Sequence, residues 1–348
     1  MDVEWLLYGV GWVLGWVLLW SSRRLPEAGS SRPAVAVVVP ARDEEDALPH
    51  LLDPLVAQLR AGDELVVVDD HSTDATAAVA AAHGATVIEP PELPPGWVGK
   101  PHACWHGTRG TAAPILVFLD ADVRPGRELL DGLAAAVEDA PEAVSSVQPW
   151  HAVATPAERA SVLANVVALM GSSGFTVLGR RLPTRVAFGP ILAIRRDRYV
   201  EIGGHAHPDV RARLTEDIAL ARRAGRSALF TSRRDAEFRM YPGGLRTTIA
   251  GWGRTIADGI TATPWWIRLA VAAWVWSLAG GLAAGWPAYP LSAAQVWVLG
   301  RRAGRFGPLT AAAYPLAVLA LLAMIVRAGW NRIHGGTTWK SRRVPTNG

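Results

Sequence analysis

Cysteine is almost missing from this sequence of 348 residues: Cys104 is the only one. An intramolecular disulfide and a multi-cysteine zinc site are thereby excluded, and a lone thiol fits a reducing compartment. Internal repeats and low-complexity segments are also lacking. Charge is scarce in three places. The stretch from Val3 to Trp20 holds one acid, Glu4, and there is no charge from Leu269 to Gly300 or from Pro308 to Val326. Runs of about 18 or more such residues are long enough to cross a bilayer core. The formal net charge of +4 is small for this length. Its arginines are spread along the chain, which argues against nucleic acid as a partner and for a membrane surface or a phosphate.

What is there is apolar, with half of all residues hydrophobic. The first apolar run has its acid before it, Arg23 and Arg24 after it and no small-residue cleavage pattern, so residues 1–24 are expected to be a retained anchor rather than a signal peptide. The basic pair places the following residues in the cytoplasm. Toward the other end, 264–330 is expected to be a transmembrane region and 331–348 a basic tail. Leu269 to Gly300 reads either as one long span or as two short ones turning at Pro287 and Pro290, for three or four spans in total. Arg301, Arg302 and Arg305 and the basic "TTWKSRR" pull the orientation in opposite directions. Ser161 to Gly179 is uncharged too, but Gly171, Ser172, Ser173 and Gly174 interrupt it. It is expected to lie against the core or the membrane surface, with a true crossing as the alternative. The whole describes a multi-pass protein of the cell membrane with 33–263 on the cytoplasmic face.

Within 33–263 valine-rich apolar runs alternate with alanine-rich amphipathic stretches, the pattern of an α/β fold with a mainly parallel sheet. Strands are expected at 34–39, 64–69, 86–89, 115–119 and 144–148, with helices at 44–60, 74–83, 102–111 and 126–139. Ser72 or Thr73 can cap the second helix, and Asp74 suits its first turn. Glu89 to Gly99 carries four prolines and two glycines and reads as a loop.

Three acidic clusters fall where strands are expected to end, which is where open α/β sheets bind ligands. They are Asp69 with Asp70, Asp120 with Asp122, and Asp217 in "LTEDIALARR". Side chains alternate along an extended chain, so Asp120 and Asp122 are expected on one side, suited to one hard divalent cation, Mg2+ or Mn2+. Such a cation acts as a Lewis acid on a diphosphate leaving group. An aspartate after a strand is often only a turn or cap residue, and Asp74 has no other reading. Several such clusters in fixed order favour a site.

The segments "VVVPARDEED", "LVVVDDHSTDAT", "GWVGKPHACWHG", "ILVFLDADVRP", "FGPILAIRRDRYVEIGGH" and "TEDIALARR" together resemble the family-two glycosyltransferases with the A-type nucleotide-sugar fold, over Val35 to about Arg223. Within that family, "GWVGK", "RMYPGGLRTTIAGW" and "TTWKSRR" are most similar to membrane glucosyltransferases of carotenoid acids and to hopanoid-associated relatives. The resemblance implies a nucleotide-sugar donor. Pro40, Ala41, Arg42 and Glu44 would line the nucleoside pocket, Asp69 and Asp70 would meet base or ribose, and Lys100 would lie near the phosphates. Asp120 would serve both donor and metal, Gly189 and Pro190 would form the acceptor-side loop, and Asp217 would be the base of an inverting transfer. Glu216, beside it, reads first as a helix-start residue on the acceptor side.

There is one departure. The Gln-x-x-Arg-Trp motif of processive members is replaced by Gly251, Trp252, Gly253 and Arg254, which argues against a polymer synthase. Trp252 is expected to stack on sugar or acceptor, or to sit at the membrane interface, and Arg254 to pair with the diphosphate. A catalytic domain between apolar segments fits a lipid acceptor that stays in the membrane. The expected activity is therefore transfer of a hexose from a uridine diphosphate sugar to a carotenoid or other terpenoid. A polyprenyl-phosphate or ceramide-type hexosyltransferase is the alternative, separable by the acid lability of its product. A catalytically silent nucleotide-sugar scaffold is opposed by the intact Asp120, Asp122 and Asp217. A transporter is opposed by the lack of charged residues inside the apolar runs.

Overall fold

The computed structural model describes residues 3–334 other than 28, 30 and 284, together with 337–339 and 342–344. Part of the tail expected at 331–348, residues 335–336, 340–341 and 345–348, thus lies outside the described residues. Helix α1 spans Val3–Leu18. The strands are β1 Val35–Ala41, β2 Glu64–Asp69, β3 Thr86–Ile88, β4 Ile115–Leu119, β5 Val123–Pro125, β6 Val144–Gln148, β7 Trp150–His151, β8 Ile191–Arg195, β9 Ser227–Thr231 and β10 Ala236–Phe238. Between them lie α2 Leu48–Val56, α3 Thr76–Ala82, α4 Gly99–Arg109, α5 Leu129–Asp139, α6 Pro156–Arg159, α7 Val162–Gly171, α8 Arg196–Glu201, α9 Pro208–Arg211 and α10 Glu216–Ala224. After β10 come α11 Leu245–Ala262, α12 Trp265–Ala283, α13 Ala288–Ala303, α14 Pro308–Ala312 and α15 Tyr314–Ile333.

Seven strands form one sheet in the order β3-β2-β1-β4-β8-β6-β9. All its pairings are parallel except those of β8, which runs antiparallel to both β4 and β6. The sheet is covered on both faces, so β1, β2 and β4 at its centre read as nearly continuous apolar runs. Val35, Val37 and Val39 of β1 pack on one side with Leu51, Leu55 and Leu133 of α2 and α5. Ala36 and Val38 pack on the other with Ala103, Tyr199 and Leu220. Gly107 lets α4 come close there, because a Cβ on it would meet Val38 Cγ1 at 2.4 Å. A small sheet, β5-β10-β7, adjoins the main one.

A third core joins α7 to the C-terminal helices and includes Leu163, Met170, Trp274, Leu299 and Met324. From the stretch 161–179, α7 contributes Val162, Leu163, Val166, Leu169 and Met170 to this core. Helix α1 packs along α12 through Gly11 and Gly15, where a Cβ would meet Ser277 Cβ at 2.4 Å and Trp274 Nε1 at 2.5 Å. Small residues at this contact bring the two backbones together, as in membrane helix pairs. Polar cross-links add to it: Tyr8 donates to Ala288 O at 2.9 Å, and Gln295 links Trp274 to the Trp12 carbonyl.

Among the described residues one helix, Tyr314–Ile333, is long and apolar enough to cross a membrane, and Val3–Leu18 is a shorter apolar helix. The three or four spans expected from hydropathy exceed that number. The charge-free stretch from Leu269 to Gly300 breaks near Pro287 into α12 and α13, and α13 ends in Arg301 and Arg302.

Candidate active site

Ala41 sits opposite Asp69, so β1 and β2 release the chain at the same edge. The two loops that follow are laced together. The Asp43 amide donates to Ser72 Oγ, the Thr73 amide to Asp43 Oδ1, the Glu44 amide to Thr76 Oγ1, the Glu45 amide to Asp74 Oδ2 and the Ala75 amide to Glu45 Oε2, all at 2.8–3.1 Å. Asp43 and His71 take φ of 50° and 58°, which the lacing holds in place. The start of α3 is organised by Asp74, whose Oδ1 accepts from the Thr76 amide at 2.9 Å. Ser72 and Thr73, expected as caps, bond to the neighbouring loop instead. Glu44 and Glu45 are likewise used in that loop, which is why α2 starts at Leu48 rather than near 44.

Arg42 donates to Asp70 O at 3.1 Å, and its guanidinium lies 3.8 Å from the Asp70 carboxylate. Asp69 Oδ1 accepts from the Ser72 amide at 3.0 Å, closing the turn. Pro40 and Ala41 form the last rungs of β1 beside Val68 and Asp69.

The second group forms around Lys100 in the first turn of α4. Its Nζ lies 2.7 Å from Asp120 Oδ1 at the end of β4 and 2.9 Å from Glu216 Oε1 at the start of α10, and it donates to Gly189 O at 3.1 Å. The Asp120 amide in turn donates to Pro190 O at 2.9 Å. A Cβ on Gly189 would lie 3.3 Å from both Asp217 Oδ2 and Lys100 Nζ. Asp120, Glu216, Asp217 and the 189–190 loop therefore belong to one cleft.

Two expectations need correction. Asp217 does not close a strand; it stands in the first turn of α10, with Glu216 before it. Asp120 and Asp122 do not share a side through strand alternation either. The Val123 amide donates back to Asp120 O at 3.2 Å, so the chain turns there, and the turn keeps the two acids close.

The electrostatics follow from burial and crowding. Burial, then the like charge of Glu216, push the Asp217 carboxyl up to about 7, against the pull of Lys100. Burial raises Glu216 as well, with Lys100 opposing. Burial works against the Lys100 ammonium, but Asp120 and Glu216 outweigh it and hold its pKa well above the usual lysine range. Asp122 is exposed to solvent on one side and closely neighboured by protein on the other. That desolvation, then the like charges of Asp120 and Glu44, push it up to about 7.

Among the described residues no group of three or more His, Cys, Asp or Glu gathers as a metal cage. A hard cation that draws its other oxygens from a diphosphate and water needs no cage. Repulsion between Asp120 and Asp122 is the strain that a divalent cation relieves, so this donor pair fits Mg2+ or Mn2+.

Arg254 lies 5.6 Å over the ring of Tyr241, next to the cleft. Tyr241 lies close enough to Asp122 for the acid's charge to raise its pKa, after the larger effect of burial. This tyrosine, held at φ 54°, was not singled out from sequence; the glycines that follow it in "MYPGG" are its only local signal. Trp252 is 6% exposed and packs edge-on to Tyr241 within the helical core, so it presents no open face to a sugar.

Comparison with known proteins agrees with the geometry. The profile of glycosyl transferase family 2 matches residues 36–199. The 4,4'-diaponeurosporenoate glycosyltransferase of Staphylococcus haemolyticus (strain JCSC1435) is 32% identical over 258 residues, 71% of this chain and 67% of that one. Its namesake from Staphylococcus aureus (strain MRSA252) is 28% identical over 335 residues, 89% of this chain and 88% of that one. Among solved structures, a mannosyltransferase from Pyrobaculum calidifontis in complex with GDP-Man and Mn2+ superposes with a TM-score of 0.57 at 20% identity, covering 94% of this chain and 96% of that one.

Proposed function

The chain is a glycosyltransferase of family 2, and on that premise we propose that it transfers a hexose, glucose from UDP-glucose, to a membrane lipid of the carotenoid or wider terpenoid class, with inversion at the anomeric carbon. The observation that carries this reading is the Asp217 carboxyl. It is buried and poised near 7, and it stands one residue from the Glu216–Lys100–Asp120 bridge to the donor side. A base with its pKa near the working pH is the most effective proton acceptor. The names of the staphylococcal relatives support a carotenoid-type acceptor.

In this reading Pro40, Ala41, Arg42, Glu44, Asp69 and Asp70 form the wall for the nucleoside. Asp120 and Asp122 hold Mg2+ or Mn2+, which when bound supplies positive charge to the departing diphosphate. Arg254 is set to add a guanidinium on the same side. Gly189, lacking a side chain, lets its backbone come close to Asp217 on the side where the acceptor would enter. Asp217 takes the proton of an acceptor hydroxyl as the new bond to the anomeric carbon forms. The bond from that carbon to the diphosphate breaks, and its electron pair leaves with the nucleotide. Attack from the face opposite the diphosphate inverts the carbon, giving a β product from an α-linked donor. A carboxyl acceptor arrives already ionised near neutral pH. The share of Asp217 in the rate therefore separates the two acceptor types.

Large apolar side chains stand exposed along α1 and α11–α15, among them Leu6, Val10, Trp276, Leu316, Leu319 and Val326. This supports a helical part embedded in a bilayer, since soluble surfaces rarely carry so large an apolar area. Arg23 and Arg24 after α1 support a cytoplasmic α/β domain.

Purified full-length protein in detergent, given labelled UDP-glucose, Mn2+ and a bacterial lipid extract, is expected to yield a labelled lipid. Asp217→Asn and Asp122→Asn should each lower the rate by about 10²-fold or more for a hydroxyl acceptor. Unchanged rates in both variants would refute the assignment.

A further inference from the structure

We propose that Glu216 is a positioning residue that tunes the donor side through Lys100, while only its neighbour Asp217 meets the acceptor. The inference rests on the reading of Asp120 as a donor-side ligand. Successive residues of a helix point about 100° apart. Here the two acids diverge accordingly: Glu216 Oε1 lies 2.9 Å from Lys100 Nζ, whereas Asp217 Oδ2 lies close against Gly189, 3.3 Å from where a Cβ would stand. Among the described residues Asp217 forms no ion pair with Lys100 within 4.0 Å.

Lys100 has three N–H donors and no acceptor. Three oxygens surround it, from Asp120, Glu216 and the Gly189 carbonyl, so the ammonium is crowded by protein oxygens within 3.1 Å. Two carboxylates from separate elements share this one positive charge. Glu216 thereby keeps Lys100 from neutralising Asp120 completely, and Asp120 retains charge for a cation and the diphosphate it carries. With Glu216 neutral, the ammonium belongs to Asp120 alone. Removing both members of the pair frees Asp120 again. Donor affinity is thus set by a residue on the acceptor side of the cleft, with Lys100 acting through Asp120.

The test is calorimetric titration of the full-length protein with Mn2+ and whichever of UDP and GDP the wild type binds more tightly, alongside transfer assays. Glu216→Gln should weaken nucleotide binding about tenfold, or about 1.4 kcal/mol, and raise the donor KM in step with little change in kcat. Glu216→Asp, which keeps the charge, should stay near the wild type. The double variant Lys100→Met with Glu216→Gln should regain nucleotide affinity relative to Glu216→Gln alone. Asp217→Asn should lose kcat with nucleotide affinity unchanged. Thermal melts identify any variant that fails to fold, and Glu216→Asp and the double variant then decide. The proposal is overturned if Glu216→Gln loses kcat as Asp217→Asn does with donor KM unmoved, since Glu216 would then be the base. It is equally overturned if the double variant binds nucleotide more weakly than Glu216→Gln, since Lys100 would then touch the diphosphate. Failure of the underlying reading shows differently, as a wild type that binds neither nucleotide.

Discussion

The α/β domain and the helical part are built from similar apolar residues but turn them in opposite directions. In the domain the large apolar side chains face inward; Val56, Val177, Leu178 and Val200 are the only exposed ones among its described residues. In α1 and α11–α15 many point outward, while small residues such as Gly11, Gly15 and Ser277 occupy the contact between helices. The difference teaches that hydropathy alone says how much a segment avoids water, whereas the placement of its large and small residues says what it packs against. Charge is divided the same way. The acids of the cleft converge on Lys100, and the helical part holds its polar groups in short cross-links such as Trp274–Gln295.

The sharpest way to break this contrast is to truncate one leucine on each side of it. Leu133 is fully buried between α5 and the sheet, so Leu133→Ala should cost about 2–5 kcal/mol in denaturant unfolding in detergent. A loss under about 1 kcal/mol would mean that the domain core is not the close-packed body described. Next in size is acidity. Asp217 works only as the carboxylate, so for a hydroxyl acceptor kcat should fall as pH drops through about 7. The loss should approach tenfold per pH unit below that, measured as a pH–rate profile. A raised carboxyl pKa also means that the native state keeps a proton the unfolded chain loses, so the cost of this group to folding is absent below about 4, grows as pH rises and is fully present above about 7. Asp217→Asn should therefore melt a few degrees higher than the wild type at pH 8 and no higher at pH 4. The smallest effect belongs to the helical part. Leu319 is 62% exposed, and Leu319→Ala should shift unfolding in detergent by no more than about 0.5 kcal/mol. A shift as large as that of Leu133→Ala would erase the distinction.

Much of the domain was legible because its signals are local. The strands at 64–69, 115–119 and 144–148 were placed as found, since short valine-rich and leucine-rich runs bounded by turn residues leave little choice. The strands β8 and β9 went unmarked. "ILAIR" and "SALFT" are too short to stand out, and the insertion of β8 antiparallel between β4 and β6 depends on partners far along the chain. The site divides similarly. Asp120, Asp122 and Asp217 announce themselves by spacing and by family likeness, and the cleft does bring Asp120 and Asp217 together. The sharing of Lys100 between Asp120 and Glu216 joins residues 116 positions apart and has no local pattern. Trp252 shows the limit from the other side. An aromatic in an odd position invites a binding role, but the packing of α11 against α15 takes it into the core. The break at Pro287 was one of the two readings that the prolines of this stretch allowed, and it leaves α12 and α13 as separate helices.

The lacing of the 42–45 loop to 72–76 reaches beyond local architecture. Its bonds are closed before any nucleotide arrives, so the wall proposed for the base is shaped during folding rather than by the ligand. Few rotors remain there to freeze on contact, and the entropy lost at encounter is correspondingly small. Selection among nucleotides then becomes a question of steric match against a surface with little give, and a donor of the wrong outline is refused instead of accommodated.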